Sequence, residues 1–281
     1  MVSVIFPSVR AGLKVWIGGI FGILIGGNAM AGVIEVFHAD SLAGPMSQLK
    51  KAFEAKHSGV TVNFTAGTSR QLADRILKGD SCDLFAPSSS AIANELVTKK
   101  AAPWSVVFSA NEMVVITSKG NPQGIQKIAD LAKPGVTFVR ITAEKDLGTG
   151  RTIEFVKRAA ALEGKPELTE KIIEAAGKEN SVPDTVRAVR EGKANAGVVY
   201  YSAAVAAKND LDIVRFPANV NLSDSIQNAA AVPGTAKNPQ EATEFVRFIL
   251  STEGQGILLQ TGQPPVVPAI KFGNLPAAMT N

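Results

Sequence analysis

Hydroxyl residues and glycines occupy four places where a predicted strand runs directly into a predicted helix. These junctions are residues 39–41 (ADS), 66–69 (AGTS), 148–150 (GTG) and 180–184 (NSVPD). The first backbone N–H groups of a helix have no partner within it, and together they carry about half a positive charge. Serine and threonine hydroxyls add donors without adding charge. If these helix starts converge, they would hold a small, fully ionised anion through uncharged donors.

The same residues have a simpler explanation, since serine and threonine are good N-caps of helices. For any single junction, that explanation is the stronger one. Repetition at the ends of four strands favours a binding site instead, because ligands of open α/β sheets gather beyond the carboxyl ends of strands. Arg70 and Arg151 directly follow two of the junctions and could supply charge to the anion. We interpret them instead as solvated helix residues near the rim of the site.

Strand and helix patterns alternate along the chain and must position these junctions. β-rich segments such as VIEVFHA (33–39) and VTVNFTA (60–66) are followed by amphipathic segments of helical periodicity. Strands separated by helices predict βαβ units, parallel sheets and an α/β fold. One of these helices is predicted to start near Thr149.

Two extended stretches without helical periodicity, residues 111–122 and 225–235, are candidates for paired chain crossings between two lobes. They predict a first lobe of residues 32–113 and 229–281, and a second lobe of residues 114–228. An anion held between the lobes would contact both.

The N-terminus has the pattern of a secretory signal peptide. Arg10 and Lys14 precede the apolar run VWIGGIFGILIGG (15–27), and Ala29-Met30-Ala31 forms a small-x-small cleavage site. A membrane anchor is the alternative, but this apolar run is shorter than the about 20 residues that cross a bilayer. We therefore predict that residues 1–31 are a cleaved signal peptide and that the mature protein is periplasmic.

Charge and cysteine content argue against several function classes. Removing residues 1–31 takes away two of the 29 basic residues and none of the 25 acidic ones, so the formal charge falls from +4 to +2. No block of lysine and arginine remains that would follow a nucleic-acid backbone. Cys82 is the only cysteine and has no histidine nearby in sequence, which favours a small buried residue over a nucleophile.

Four segments of the chain together resemble the periplasmic molybdate-binding proteins of ABC importers and their tungstate-binding relatives. VFHADSL resembles the family's V-F-A-A-A-S-L, and GVVYYSAAVAA resembles G-I-V-Y-x-S-D-A. FTAGTSRQLADRILKGDSCDLFAPS resembles F-A-x-S-S-x-L-A-x-Q-I-x-x-G-x-x-A-D-x-F-x-S-A, and GTGRTIEFVKRA resembles P-A-G-x-Y-A-x-x-A-L. The resemblance covers nearly the whole chain after residue 31 and implies a type II periplasmic binding protein with two α/β lobes, a ligand cleft and a two-segment hinge.

The resemblance also implies which residues hold the tetrahedral oxyanion. In that family two serine hydroxyls, backbone N–H groups at two helix starts and one tyrosine hydroxyl bind the ligand. Carried over by position, these are Ser41, Ser69, Thr149, Val182 and Tyr200, with Thr149 and Val182 acting through their amides. The implied protein is a monomer without a cofactor that delivers its anion to an ABC permease of the inner membrane.

Three residues depart from the family pattern. Asp40 stands where a small residue is usual, and its carboxylate would repel an oxyanion unless it points away or caps the following helix. Thr149 replaces an alanine. FHADSL is closer to the FHAGSL of the tungstate-binding relatives, in which two added carboxylates make the metal six-coordinate. One of those two carboxylate positions is Val199 here, which cannot ligate a metal. Tetrahedral binding is therefore expected.

Two alternatives stay open. A binding protein of the same fold could take another anion, such as sulfate, thiosulfate or an organic anion, and Asp40 motivates that choice. An enzyme on this fold is the second alternative, but the sequence has no Ser-His-Asp order, metal-ligand cluster or activated thiol. The sequence does not separate molybdate from tungstate.

Overall fold

A computed structural model describes residues 32–144, 146–177 and 181–279. The predicted signal peptide lies outside these residues. No helix within them is long and apolar enough to span a membrane. The strands are β1 Gly32–Ala39, β2 Val60–Gly67, β3 Leu84–Ala86, β4 Trp104–Ala110, β5 Met113–Ser118, β6 Phe138–Arg140, β7 Ala196–Tyr200, β8 Leu211–Val214, β9 Gln227–Ala231 and β10 Pro265–Gly273.

Helices connect most of these strands. The α-helices are α1 Ala43–Lys56, α2 Ser69–Leu77, α3 Ser90–Thr98, α4 Leu147–Leu162, α5 Leu168–Ala175, α6 Val182–Arg190, α7 Tyr201–Ala206, α8 Pro239–Leu250 and α9 Thr252–Gln260. Short 3-10 helices span Asp40–Leu42, Ile128–Ala132 and Ala277–Met279. The predicted α/β class is confirmed.

The strands form two separate sheets. The first has the order β10-β4-β9-β3-β1-β2 and the second the order β6-β7-β5-β8. The pairs β1-β2, β1-β3 and β6-β7 are parallel, as the βαβ pattern predicts. The remaining pairs are antiparallel, so the sheets are mixed and not the parallel sheets that the alternation predicts. The physical reason is that β5 and β9, the first strands after the two crossings, run opposite to their neighbours, and β10 keeps the direction of β9.

The chain passes between the sheets twice. It leaves the first sheet after β4, enters the second at β5, and returns between β8 and β9. The two passages are tied together, since the Glu112 carboxylate accepts a hydrogen bond of 2.6 Å from Arg215 Nε, and Asn111 N–H donates to the Ile226 carbonyl. The predicted crossing stretches begin at these passages and then continue as β5 and β9. The exact lobe boundaries stay a prediction.

Each sheet has its own apolar core. In the first, Phe53 of α1 is fully buried and packs against the tilted rings of Phe245 and Phe248 of α8, at ring-centroid distances of 4.8 and 5.6 Å. In the second, Phe155 of α4 is fully buried and meets the Phe216 ring edge-on at 4.9 Å. Truncating a phenylalanine of this kind to alanine costs about 3–5 kcal/mol. Each sheet and the helices packed on it thus form one half of the protein with its own core, and the two cores fix the positions of the strand ends.

Candidate functional site

A polar cavity of about 220 Å³ lies between the two sheets, at the carboxyl ends of β1, β2, β3 and β7. It is lined by Ala39, Asp40, Ser41, Gly67, Thr68, Ser69, Ser88, Asp146, Leu147, Val182 and Tyr200. Four of the five predicted site residues are in this set, and Thr149 is not. Larger cavities elsewhere, such as the one of about 1220 Å³ beside Trp104 and α8, are lined mostly by apolar surface.

Ser41 lies in the 3-10 turn between β1 and α1. The turn begins directly after the last β1 residue, which brings the buried Ser41 to the end of the strand. Its carbonyl accepts a hydrogen bond of 3.0 Å from Ser202 Oγ, which in turn accepts one of 2.9 Å from Asn111 Nδ2. Ser202 follows β7, so this chain of bonds fixes Ser41 against the second sheet.

Asp40, the neighbour of Ser41, lines the cavity. No side-chain cap is formed at the start of the 3-10 helix or of α1, so the expectation that Asp40 caps the following helix is wrong. The reason is that Ala39 and Leu42 occupy the two N-cap positions, and neither side chain has an acceptor, whereas Asp40 is already inside the 3-10 helix. The Asp40 side chain therefore stays in the cavity wall beside Ser41.

Ser69 is the first residue of α2, with Thr68 as the N-cap whose hydroxyl accepts a 3.3 Å bond from Gln71 N–H. The apolar face of α2 is buried and holds the helix against the sheet. Ser69 Oγ accepts a 3.1 Å hydrogen bond from the N–H of Ser88, and the two hydroxyl oxygens are 3.3 Å apart.

Ser88 is a cavity residue that sequence reasoning missed. It follows β3 in the segment FAPSSS, immediately before α3. This is a fifth strand-to-helix junction with hydroxyl residues, so the rule that selected the other four would have found it.

The start of α4 differs from the prediction. The helix begins at Leu147 rather than near Thr149, because Asp146 is the N-cap and its Oδ1 accepts a 2.8 Å bond from Gly148 N–H. Thr149 N–H donates to the Asp146 carbonyl at 3.1 Å and its hydroxyl donates to the Ala143 carbonyl at 2.8 Å. Both Thr149 donors are therefore used inside the helix start, and the structure places Thr149 outside the cavity lining, where Asp146 and Leu147 are found.

Gly148 has a packing role, whereas the GTG stretch predicts a helix start whose free backbone N–H groups bind an anion. A Cβ atom on Gly148 would lie 2.6 Å from Ile141 Cδ1 and 2.8 Å from Ile141 Cγ2. The glycine thus allows α4 to approach the buried Ile141 closely.

Val182 is the first residue of α6, where the sequence predicts it. Ser181 is the N-cap: its hydroxyl accepts from Asp184 N–H at 3.3 Å, and the Asp184 carboxylate accepts from Ser181 N–H in return. Pro183 in the first turn fixes the backbone in a helical conformation. This reciprocal cap leaves the amide end of α6 beside the cavity.

Tyr200 ends β7 and is 1 % exposed. Its hydroxyl oxygen accepts a 3.0 Å hydrogen bond from Arg151 Nη1. Burial raises the pKa of this phenol, and the nearby Arg151 charge offsets part of that rise. The phenol therefore keeps its proton at neutral pH and is a hydrogen-bond donor.

The two arginines beside the junctions differ from each other. Arg70 pairs with Glu95 of α3 at 2.6 Å on the outside of the first half and does not line the cavity, which agrees with a helix residue near the rim. Arg151 is not a solvated rim residue, contrary to the interpretation from sequence. Besides Tyr200, its guanidinium donates to the Ser88 carbonyl at 2.6 Å.

Two carboxyl groups face the same cavity. Burial raises the pKa of Asp40, and the charge of Asp146 raises it further. Burial also raises the pKa of Asp146, while its bond from Gly148 N–H and the Arg151 charge lower it. Asp146 was not predicted as a site residue, because its proximity to Asp40 arises only when the two sheets come together.

Metal coordination by side chains finds no support among the described residues, which contain no group of three or more His, Cys, Asp or Glu placed to hold a metal ion. Val199 is fully buried in the core on the α6 side of the second sheet. Cys82 is buried, its thiol donates to the Leu84 carbonyl, and burial raises the pKa of this thiol to about 12. The thiol is therefore protonated at neutral pH, as expected for a structural cysteine.

The chain matches a protein family and several known proteins over most of its length. Residues 34–263 match the family described as bacterial extracellular solute-binding protein. The molybdate-binding protein ModA of Mycobacterium tuberculosis is 30 % identical over 230 residues, covering 82 % of this chain and 83 % of that protein. The molybdate/tungstate-binding protein WtpA of Pyrococcus abyssi is 26 % identical over 322 residues, covering 92 % of each chain.

A solved structure shares the fold. The periplasmic molybdate-binding protein of Azotobacter vinelandii superposes with a TM-score of 0.69 at 20 % sequence identity, covering 84 % of this chain and 99 % of that one. The two-sheet architecture of the present chain is therefore that of periplasmic solute-binding proteins.

Proposed function

The chain belongs to the bacterial extracellular solute-binding proteins, and from this premise we propose that it captures molybdate or tungstate as a tetrahedral oxyanion. The observation that carries the proposal is that Ser41, Ser69, Val182 and Tyr200, from four separate segments, line one cavity. The names of the ModA and WtpA relatives support the choice of ligand.

The proposed binding mode uses uncharged donors from both halves of the protein. Ser41 and Ser69 donate from the first half, and the Val182 amide and the Tyr200 phenol donate from the second. An anion that contacts both halves stabilises their approach by its higher affinity for that arrangement. No bond is made or broken, and the loaded protein delivers its anion to an ABC permease.

Selectivity follows from the fixed positions of these donors. A smaller anion such as sulfate does not reach all of them, and each buried donor left unpaired costs about 1–3 kcal/mol. Two or three unreached donors are enough to separate the anions by several powers of ten in affinity.

The remaining parts of the proposal concern the whole protein. We propose a periplasmic monomer that is exported by a cleaved signal peptide of residues 1–31, and that works without a cofactor and without catalysis. The membership in an extracellular solute-binding family supports export and transport. The buried thiol of Cys82 supports a role other than nucleophilic catalysis for that residue.

A second candidate is a binding protein of the same fold for another anion, such as sulfate, thiosulfate or an organic anion. Within this candidate, the carboxyl groups of Asp40 and Asp146 in the cavity wall favour an organic anion of lower charge, because each of them disfavours any dianion when ionised, sulfate and thiosulfate included. A ligand with its own hydrogen-bond donor would satisfy such a carboxylate better than molybdate does.

Calorimetry and thermal shift with purified residues 32–281 test the proposal against this alternative. We expect molybdate and tungstate to raise the melting temperature, because a ligand that binds only the folded state stabilises it, and we expect sulfate and thiosulfate to have no effect. Ser41→Ala should weaken binding, while Ser58→Ala, at an exposed turn residue, should not. A response to sulfate or thiosulfate alone would favour the second candidate, and no response to any of the four anions would refute the oxyanion proposal.

A further inference from the structure

Arg151 connects the two halves of the protein through a bridge made by two different nitrogen atoms. From α4, its Nη2 donates to the Ser88 carbonyl at 2.6 Å, across the gap between the sheets. Its Nη1 donates to the Tyr200 hydroxyl at 3.0 Å, within its own half, and lies 3.4 Å from Ser88 Oγ. One planar group thus bonds to two residues that line the cavity from opposite sides.

The direction of these bonds decides where the cavity protons point. A guanidinium only donates, so the Tyr200 oxygen must be the acceptor of the Arg151 bond. The phenol proton of the buried Tyr200 then points away from Arg151, either to the Ser88 side chain, which also bonds this phenol, or to an anion in the cavity that Tyr200 lines.

Hydrogen bonds in the first half also leave a hydroxyl proton available. The Ser88 carbonyl accepts from Arg151, while the Ser88 amide donates to Ser69 Oγ at 3.1 Å. Since the Ser69 oxygen is already an acceptor, its own proton points to another partner, either Ser88 Oγ or a cavity anion. Arg151 and the Ser88 amide therefore donate to the oxygens of Tyr200 and Ser69, respectively, which leaves both hydroxyl protons to point to other partners.

We propose that Arg151 is a positioning residue that couples the approach of the two halves to the orientation of the Tyr200 hydroxyl as a donor. This inference rests on the proposed oxyanion-binding function and adds to it. A single positive charge is not sufficient for the role, because two nitrogen atoms in fixed geometry must meet Ser88 and Tyr200 at once.

Two substitutions separate charge from geometry. Arg151→Lys keeps the charge but has one nitrogen in place of the two that form the bridge, and Arg151→Met removes both charge and bridge. Arg158→Met is the matched control, since Arg158 lies on the same helix and pairs with Glu154 at the protein surface. Circular dichroism of each variant checks that α4 is still folded.

Molybdate affinity, measured by calorimetry, gives the first test. We expect both Arg151 variants to bind about 10- to 100-fold more weakly, the size of a lost hydrogen bond to a charged group. Arg158→Met should stay within about twofold of the wild type. An Arg151→Lys protein with wild-type affinity would overturn the proposal, because charge alone would then suffice.

A double-mutant cycle tests whether Arg151 acts through Tyr200. In a Tyr200→Phe background the hydroxyl is gone, so Arg151→Lys should weaken binding much less than it does in the wild type. Strictly additive effects would overturn the orienting role.

Small-angle X-ray scattering without added anion gives a readout that does not depend on the ligand. Loss of the bridge should raise the radius of gyration of Arg151→Met above those of the wild type and Arg158→Met. If the wild type binds no molybdate, the proposed function fails, yet a larger radius for Arg151→Met alone would still support the bridge. An unchanged radius in both Arg151 variants would overturn the bridge itself.

Discussion

Anion affinity should depend on pH, because Asp40 and Asp146 line the cavity that we propose as the anion site. In the folded protein, burial raises the pKa of both carboxyl groups, and the Asp146 charge adds to the rise at Asp40. The charged groups around Asp40 are Asp146 and Arg151 at the cavity, and Arg187 and Arg190 of α6 in the adjoining groove. A bound dianion adds further negative charge, so it favours the protonated carboxyl group.

The sign follows from proton linkage. A carboxyl group whose pKa is raised in the folded protein holds a proton that the unfolded chain has already lost at the same pH. Folding stability therefore falls as pH rises from the ordinary aspartate value of 3.8 to the raised folded-state pKa. Anion binding raises the pKa again, so affinity also falls as pH rises, between the pKa of the free protein and that of the complex.

The size of the effect is set by the number of protons taken up. One proton bound per anion gives a change of about tenfold in Kd, or about 1.4 kcal/mol, per pH unit within that window. The two carboxyl groups interact, so the steps belong to the pair rather than to either residue. Below and above the window the affinity is level.

Calorimetry from the ordinary aspartate pKa of 3.8 upward through neutral pH measures this slope for the wild type, Asp40→Asn and the double variant Asp40→Asn/Asp146→Asn. Asparagine removes the charge and keeps an oxygen that can accept the Gly148 N–H bond at the start of α4. We expect tighter binding by Asp40→Asn at the upper pH, a shallower slope, and no slope in the double variant. Protonation of the anion itself would appear equally in all three proteins. A wild type with constant affinity, or an Asp40→Asn variant with the wild-type slope, would refute the argument.

Three further substitutions test individual contacts. Ser69→Ala should weaken molybdate binding and also lower the unfolding free energy by about 1–3 kcal/mol in denaturant titrations, because the buried Ser88 N–H loses its acceptor; an unchanged stability would contradict this bond. Gly148→Ala should cost about 1–3 kcal/mol, since the new Cβ would lie 2.6 Å from Ile141 Cδ1, and adding Ile141→Val should recover part of that loss. Cys82→Ser should leave molybdate affinity unchanged in calorimetry, because the thiol is in the core of the first half; a lost affinity would revive a functional role for Cys82.

The sequence predicted the parts of the site that follow from local rules. Strand ends followed by hydroxyl residues located Ser41, Ser69 and Val182, and the resemblance to a known family added Tyr200. Each of these positions depends on one strand-to-helix junction, which neighbouring residues determine. Ser88 lies at a junction of the same kind, so the same rule predicts it.

The remaining features of the site depend on which residue caps a helix and on contacts between residues that are far apart in sequence. The GTG stretch predicts a helix start near Thr149, but Asp146 is the stronger N-cap and begins the helix two residues earlier. The bond from Arg151 to Ser88 spans 63 residues of sequence and forms only when the two sheets face each other. No periodicity in the sequence carries that information.

The fold, too, is predicted from sequence only where it follows from local patterns. Alternating strand and helix patterns predicted the α/β class and the parallel pairs around β1. The antiparallel direction of β9 between β3 and β4 depends on where the chain crosses between the sheets, which a local pattern does not specify.

Anomalous diffraction at the molybdenum edge, from crystals grown with molybdate, locates the ligand directly. We expect a single strong peak in the cavity between the sheets, placed so that the oxyanion oxygens reach the Ser41, Ser69 and Tyr200 hydroxyls and the Val182 amide. A peak at another place on the protein, or none from a crystal saturated with molybdate, would contradict it.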